Sequence, residues 1–427
     1  MKQLLAYCLS IILCVSFTGC MENYLDLYPE DKITSASFPE NESDIKLLLN
    51  GVYAQLREKE VYNQGLFGFG ITDGATPNAF NWGTDEVFNK LGAGRLSSSD
   101  GGVVTYRWKR CYEIISRANY LLACMDLVDL SEEAKAKYSG ETHFLRGLAY
   151  SVLAETYGGV PIILTNISTE EARSLKRASL EETWQQALDD YEVAITNLGV
   201  DAPEPGRATK GAALGMKMRA YLYQGKYKEV LACVEQIDAL KKYGLFHSYE
   251  GLFDPANENN KEVLFDIQYI EGENSQGSYI DQYCGTGTGS WTRGSRYVPT
   301  DDLVAAYETI DGSPVDPENP YENRDPRLGF TAVLPGSYFL GYRFPNYLYP
   351  GGAFNHAGNR LKHLSTRKYR IQDESKLPPS GQSYINDIIL RYADVLLSKA
   401  EAIIETNGNV ADAIAILNRI RTERDDV

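Results

Sequence analysis

The chain has 427 residues, 43% hydrophobic and 23% charged, with 42 basic against 58 acidic side chains. A chain of this length buries a large core and has room for two to three domains, and its charge and apolar content exclude global disorder. A net charge of −16 argues against a protein that tracks nucleic-acid phosphates or docks on anionic lipid through basic residues. Four histidines leave little material for metal or base chemistry, whereas 30 tyrosines against 14 phenylalanines suit wet, contact-making surfaces.

Lys2, the apolar run from Leu4 to Val15 and the ending Phe17-Thr18-Gly19-Cys20 follow the charged, apolar, small-residue order of a secretory signal. The run is shorter than the ~20 apolar residues that span a bilayer. Thr18-Gly19-Cys20 resembles the end of a bacterial lipobox, which places cleavage before Cys20 and a lipid on its thiol; an ordinary signal peptide is the alternative. Residues 1–19 are therefore read as signal and 20–35 as a lipidated tether. Cys111, Cys124, Cys233 and Cys284 remain, without metal-ligand spacing. With Cys111 and Cys124 on one helix, the ~1.5 Å rise per residue holds them ~20 Å apart, too far for a disulfide, and all four are expected as buried thiols.

From here the three-four spacing of amphipathic helices recurs. Ile45–Arg57 is set to pair with Arg107–Met125, and Glu132–Tyr157 with Leu180–Leu198. Leu145, Leu148, Ala149, Val152 and Thr156 form one stripe, stopped by Gly158-Gly159 with Pro161 beyond. Ser179 is placed as an N-cap with Glu182 closing a capping box, followed by Trp184, Leu188, Tyr191, Ile195 and Leu198. Ala213, Met216, Ala220 and Tyr223 make the next stripe, and Tyr227, Val230, Leu231, Val234 and Ile237 follow the break at Gly225. The stretch Ala220 to Leu231 resembles the turn of a tetratricopeptide repeat, and Thr209 to Leu240 fits its ~34-residue period. A second copy is suggested by Ala400-Glu401-Ala402, Gly408, Ala413, Ile416, Leu417 and Ile420. The fold class expected is mainly α: four tetratricopeptide-like helix pairs as a scaffold, with a loop-rich insert carrying a few short strands. An unrelated helical bundle is the alternative.

Residues 36–242 form the scaffold, with a loop insert at 60–105; 243–383 form a second insert and 384–427 the last helix pair. In the inserts Gly, Pro, Asn, Ser and Tyr replace the helical period, and Val263–Ile267 is expected as a strand. Long loops inside compact proteins are usually functional. Aromatic rings beside hydrogen-bonding side chains in such loops are candidate ligand contacts. The expected ligand contacts are Trp82, Trp291, Tyr283 and Tyr297, with Asn81, Asp73 and Arg296 as polar partners. Trp82 and Trp291 are equally well read as anchors of their own loops. Trp108 and Trp184 lie on helical stripes and are assigned to the core.

Several ordered motifs then resemble one family. They are Tyr24-Leu25-Asp26 with Pro29, Leu49-Asn50-Gly51-Val52-Tyr53, Ser116-Arg117-Ala118-Asn119, and Phe144-Leu145-Arg146-Gly147 leading to Tyr157-Gly158-Gly159-Val160-Pro161. Further on come Arg324-Asp325-Pro326-Arg327-Leu328, Arg367-Lys368-Tyr369, Ile389 to Leu397 and Asn418-Arg419-Ile420-Arg421. Together they resemble the SusD-like (RagB/SusD) outer-membrane lipoproteins. The resemblance implies a cell-surface protein that binds glycans, or in some members peptides, and acts as a lid on a SusC-like TonB-dependent barrel. It implies binding without catalysis. Family members continue past the Asn-x-Ile-Arg segment, so the last helix pair is expected to be truncated.

No zinc-helix spacing, nucleophile elbow or phosphate loop competes with this reading. The paired acids Asp189-Asp190, Asp301-Asp302 and Asp425-Asp426 are expected mostly on solvated faces. No cofactor is expected; a fortuitous structural Ca²⁺ on the acids of Asp316 to Asp325 is the alternative, although their spacing is not that of a calcium loop. The rival functions are a glycoside hydrolase on a helical scaffold and a protein-assembly adaptor.

Overall fold

The computed structural model describes residues 38–57, 73–81, 90–271, 277–278, 280, 297–339, 342–343, 364–369, 371, 373–376 and 382–427. Cys20, Trp82, Tyr283, Cys284, Trp291 and Arg296 lie outside them. The described chain is mainly helical, as expected. Its principal helices are α1 (Glu42–Tyr53), α2 (Val103–Cys124), α3 (Glu132–Tyr157), α4 (Leu180–Asn197), α5 (Lys210–Tyr223) and α6 (Tyr227–Ala239). Two short helices, α7 (Asp301–Ala306) and α8 (Pro326–Thr331), precede the terminal pair α9 (Tyr392–Glu405) and α10 (Val410–Thr422). No helix among the described residues is long and apolar enough to cross a membrane.

Local chemistry sets the helix ends. Asn41 caps α1 by accepting from the Asp44 N–H, and Ser131 and Thr209 cap α3 and α5 in the same way. At α4 the capping box forms as read from the sequence, Ser179 and Glu182 each accepting from the other's backbone. Gly158 ends α3 at φ +75°, a conformation that a side chain would strain. The helices pack as α1 on α2, α3 on α4, α5 on α6 and α9 on α10, with α4 against α5 and α6 against α9 joining the pairs. Trp184 is buried, and Trp108 packs between Tyr112 and Tyr157 at 5.0 and 5.2 Å between ring centroids. Thr156 and Tyr223, expected on buried stripes, are exposed. Cys111, Cys124 and Cys233 are buried free thiols, and burial pushes Cys111 up to about 12.

A close helix contact explains one of the motifs. A Cβ on Gly147 would lie 3.0 Å from the Asp190 Cβ and 3.1 Å from the Ala187 carbonyl oxygen, so a side chain there would push α3 and α4 apart by a few tenths of an ångström. One residue earlier, Arg146 donates to both Asp190 oxygens (Nη2–Oδ1 2.7 Å, Nε–Oδ2 3.0 Å) and to Asn119 Oδ1 at 2.8 Å. Asn119 in turn donates to the Ile163 carbonyl. Asp190 is 1% exposed. The expectation of a solvated acid pair fails at this position, because Arg146 reaches it from the neighbouring helix.

Short antiparallel ladders bind the inserts. β1 (Ala79–Asn81) pairs with β3 (Tyr297–Pro299) in the register Ala79↔Pro299, Phe80↔Val298, Asn81↔Tyr297. β2 (Val263–Ile267) is a strand as expected, and its partner is β6 (Asp387–Arg391), a stretch that the sequence reading leaves within the last helical region. β4 (Ala332–Val333) pairs with β5 (Ser365–Thr366). A large apolar core runs through the helices, and a smaller one joins Leu252, Phe253, Ile280, Tyr369 and Ile371 of the second insert to Ile385 just beyond it.

Candidate functional site

The β1–β3 ladder joins the two inserts, and a cavity of about 220 Å³ opens beside it. Asp73, Asn78 and Ala79 contribute from the first insert. Pro299, Leu303 and Tyr307 come from β3 and α7, Thr331 from the end of α8, Thr366 from β5, and Tyr249, Lys368 and Tyr369 from the connecting segments. Three tyrosines thus share one hollow with an acid, a base and an amide.

Each wall is held by identifiable contacts. Tyr307 and Thr331 hydroxyls hydrogen-bond at 2.9 Å. The Tyr249 and Tyr369 rings lean on Phe253, with centroids 5.5 and 4.7 Å away. Behind Tyr249 the segment Arg424-Asp425-Asp426 pins the backbone. Asp426 accepts from Ser248 Oγ, Tyr249 N and Glu250 N at 2.7, 2.8 and 3.0 Å, and Asp425 N donates to the His247 carbonyl. Glu262, fully buried, accepts from Arg391, Arg424 and the Phe246 N–H at 2.8, 2.9 and 2.7 Å. Asp426 is therefore a structural acceptor, again unlike a solvated acid pair. The Arg324-Asp325-Pro326 motif also braces backbone. Arg324 donates to the carbonyls of Val304, Tyr307 and Pro320, fixing the end of α7, while Asp325 caps α8.

Electrostatics single out Lys368. Its ammonium lies 4.3 Å from the Phe253 ring centroid, 5.5 Å from that of Tyr369 and 5.8 Å from that of Tyr249, positions in which ring quadrupoles attract a cation. Burial raises the Asp73 carboxyl above its ordinary range, against the opposing pull of Lys368. Burial works to raise the Tyr249 phenol too, but Lys368 and then Arg391 outweigh it and hold Tyr249 below the usual tyrosine value. Tyr307 and Tyr369 are raised by burial.

Of the residues expected to touch ligand, Asp73 lines the cavity. Asn81 and Tyr297 face each other as backbone partners at the end of the β1–β3 ladder, so two of the expected positions, far apart in sequence, are brought together. The expected Trp82, Trp291, Tyr283 and Arg296 lie outside the described residues, as does the lipidation site Cys20. Lys368, Tyr249, Tyr307 and Tyr369 line the cavity without being expected there. The signal for two of them is the Arg367-Lys368-Tyr369 motif, which resembles the family without implying a role.

Two larger clefts, of about 340 and 370 Å³, flank residues 204–207. Their central polar groups are already engaged with one another. Arg207 donates to Glu141, Glu204 and Asn50, the Asn259 and Gln268 amides pair, and Asp266 accepts from Gln268 and Asn386. No group of His, Cys, Asp and Glu among the described residues is arranged to hold a metal ion.

Comparison with known proteins agrees with this architecture. Residues 261–424 match the family described as SusD family, and residues 23–222 match one described as starch-binding, associating with outer membrane. SusD-like protein P25 of Formosa agariphila is 26% identical, the match covering 98% of this chain and 81% of that one. A SusD-like protein of Bacteroides ovatus is 24% identical over 95% of this chain and 73% of its own length. Among solved structures, a SusD-like carbohydrate-binding protein of Bacteroides fragilis superposes with a TM-score of 0.78 at 27% identity, covering 90% of this chain and 77% of that one. A laminarin-binding SusD-like protein superposes at 0.71 with 20% identity, over 90% and 84% of the two chains. The chain is a SusD-like protein.

Proposed function

We propose that this SusD-like chain binds a glycan at the outer membrane and passes it, unaltered, to a SusC-like TonB-dependent transporter. The observation that carries the reading is the cavity between the inserts, whose wall brings Tyr249, Tyr307 and Tyr369 together with the polar groups of Asp73, Asn78 and Lys368. One structural relative is named as laminarin-binding and one matching family as starch-binding, which supports the same ligand class. Among the described residues Asp73 is the one carboxylate lining this cavity, whereas glycoside hydrolysis ordinarily needs two flanking the scissile bond. Binding without cleavage is therefore the reading.

The division of labour proposed for the chain is a signal at 1–19, a tether at 20–35 lipidated on Cys20, a tetratricopeptide-like scaffold at 36–242 and 384–427, and ligand-binding inserts at 60–105 and 243–383. Trp82 directly follows the end of β1, and with Trp291, Tyr283, Tyr297, Asn81 and Arg296 it is proposed to extend the platform beyond the cavity. Incubating the purified protein with neutral and acidic polysaccharides tests the reading. Retardation in affinity gels with no new reducing ends supports it. Release of shorter products points to a hydrolase, and binding only to peptides would move the ligand class. Pull-down from detergent-solubilised native membranes should recover a TonB-dependent barrel, and Cys20→Ala should release protein that lacks that partner into the soluble fraction.

A further inference from the structure

The charged groups around the cavity fall into two sets. Arg327 is paired with Asp325, Arg367 with Glu250, and Arg391 and Arg424 share Glu262. Asp73 and Lys368 line the hollow itself and feel each other's charge. Among the described residues they form no ion pair, and the Asp73 carboxylate and the Lys368 ammonium make no hydrogen bond. Lys368 is instead suspended over aromatic rings, which fix the ammonium without using its N–H donors. The cavity thus presents one unused acceptor group and one unused donor group of opposite charge.

We infer that Asp73 and Lys368 form a split couple bridged by neighbouring hydroxyls of an uncharged sugar ring, so that the cavity selects neutral glycans over those carrying carboxylate or sulfate. This rests on the glycan-binding reading and adds the ligand's charge to it. A hydroxyl both donates and accepts: one donates to Asp73 while its neighbour accepts from Lys368, and the tyrosine faces take the apolar side of the ring. An anionic substituent would satisfy Lys368 alone. It would also meet the Asp73 charge, and Arg327, Arg367, Arg391 and Arg424 nearby each already hold a carboxylate. At about 220 Å³ the hollow falls below the ~300–1,000 Å³ of pockets that enclose a whole small ligand. It seats a single ring of a longer chain.

The test uses the mature chain with starch, laminarin, xylan and galactomannan as neutral probes, and polygalacturonate, alginate and heparin as acidic ones. Affinity gels and calorimetry give the constants, and melting temperature is read on the same samples. The wild type should bind at least one neutral probe more tightly than any acidic probe. Asp73→Asn and Lys368→Met should each weaken that binding at least ten-fold with melting unchanged, and the double variant should lose far less than the product of the two, because the bridge is lost only once. If Lys368→Met folds poorly, Lys368→Gln gives the same comparison. Preference for an acidic probe, weakened by Lys368→Met and strengthened by Asp73→Asn, overturns the inference and leaves glycan binding standing. Neutral binding indifferent to both substitutions also overturns it, placing the contact elsewhere. A folded wild type that binds no polysaccharide removes the glycan reading, and the inference with it.

Discussion

The helical scaffold and the insert cavity treat buried charge in opposite ways. Within the helices Arg146 meets Asp190 through two nitrogens and spends a third on Asn119, so the pair is closed on itself and ties α2, α3 and α4 together. In the cavity Asp73 and Lys368 face a shared hollow and, among the described residues, form no ion pair. A closed pair repays its desolvation by geometry and has nothing left for a ligand. An open couple leaves polar groups under-satisfied until something bridges them. The contrast separates residues that hold the fold from residues that await a partner.

The harshest way to break the comparison is to open the closed pair. Arg146→Met leaves Asp190 charged and buried with no cation, and should cost ~3–5 kcal/mol of unfolding free energy by urea titration. A loss below ~1 kcal/mol would mean that the scaffold pair is no more structural than the cavity couple. Next comes Tyr307→Ala, which removes a cavity wall at the end of α7. It should weaken ligand binding by ~2 kcal/mol by calorimetry if the ring behaves as an anchor, with a smaller change in melting than Arg146→Met causes.

A third test exploits pH. On the β2–β6 ladder, burial together with the charges of Asp266 and Asp73 raises Asp387 to about 7 and burial raises Asp266 itself to about 6, while burial raises Glu258 to about 7. The folded chain keeps these carboxyls protonated to higher pH than the unfolded chain does. Their stabilising contribution is therefore complete below about pH 4 and is lost as pH rises through about 6 to 7. Allowing for solvent screening of the partly exposed Asp387, unfolding at pH 8 should be ~1 kcal/mol easier than at pH 5.5, and Asp387→Asn should flatten that difference. The smallest effect is expected from Asp73→Asn in the absence of ligand. Because burial already disfavours the charged form, stability should change by a few tenths of a kcal/mol or rise slightly, although the same substitution weakens binding. A large destabilisation would make Asp73 a structural residue and erase the contrast.

Much of the scaffold was legible in the residues. The Ser179–Glu182 box, the stop at Gly158 and the turn at Gly225 are short-range devices, decided by a few neighbouring residues, and each forms as read. The expectations that failed are long-range. Asp190 looks like half of an exposed acid pair until Arg146, 44 residues away, is folded against it. Asp387–Arg391 becomes a strand because β2 offers it a ladder more than a hundred residues upstream. Around the cavity, Asp73 was legible as a polar residue in an insert; beside Lys368 the sequence shows only the adjacent Tyr369, while the Tyr249 and Phe253 rings arrive from more than a hundred residues upstream.

By itself the sequence determined where helices start and stop, which of their faces are apolar, that long polar and aromatic inserts interrupt them, and which family the motifs resemble. These follow from periodicity and capping, whose interactions span only a few residues. Only the tertiary structure decided which charges are closed and which are open. The cavity draws together residues 73, 249, 307, 331 and 368, contributed by separate segments whose convergence depends on ladders and buried ion pairs formed across most of the chain. Whether a carboxylate is a clasp or a ligand contact is set by what the fold places within hydrogen-bond distance of it.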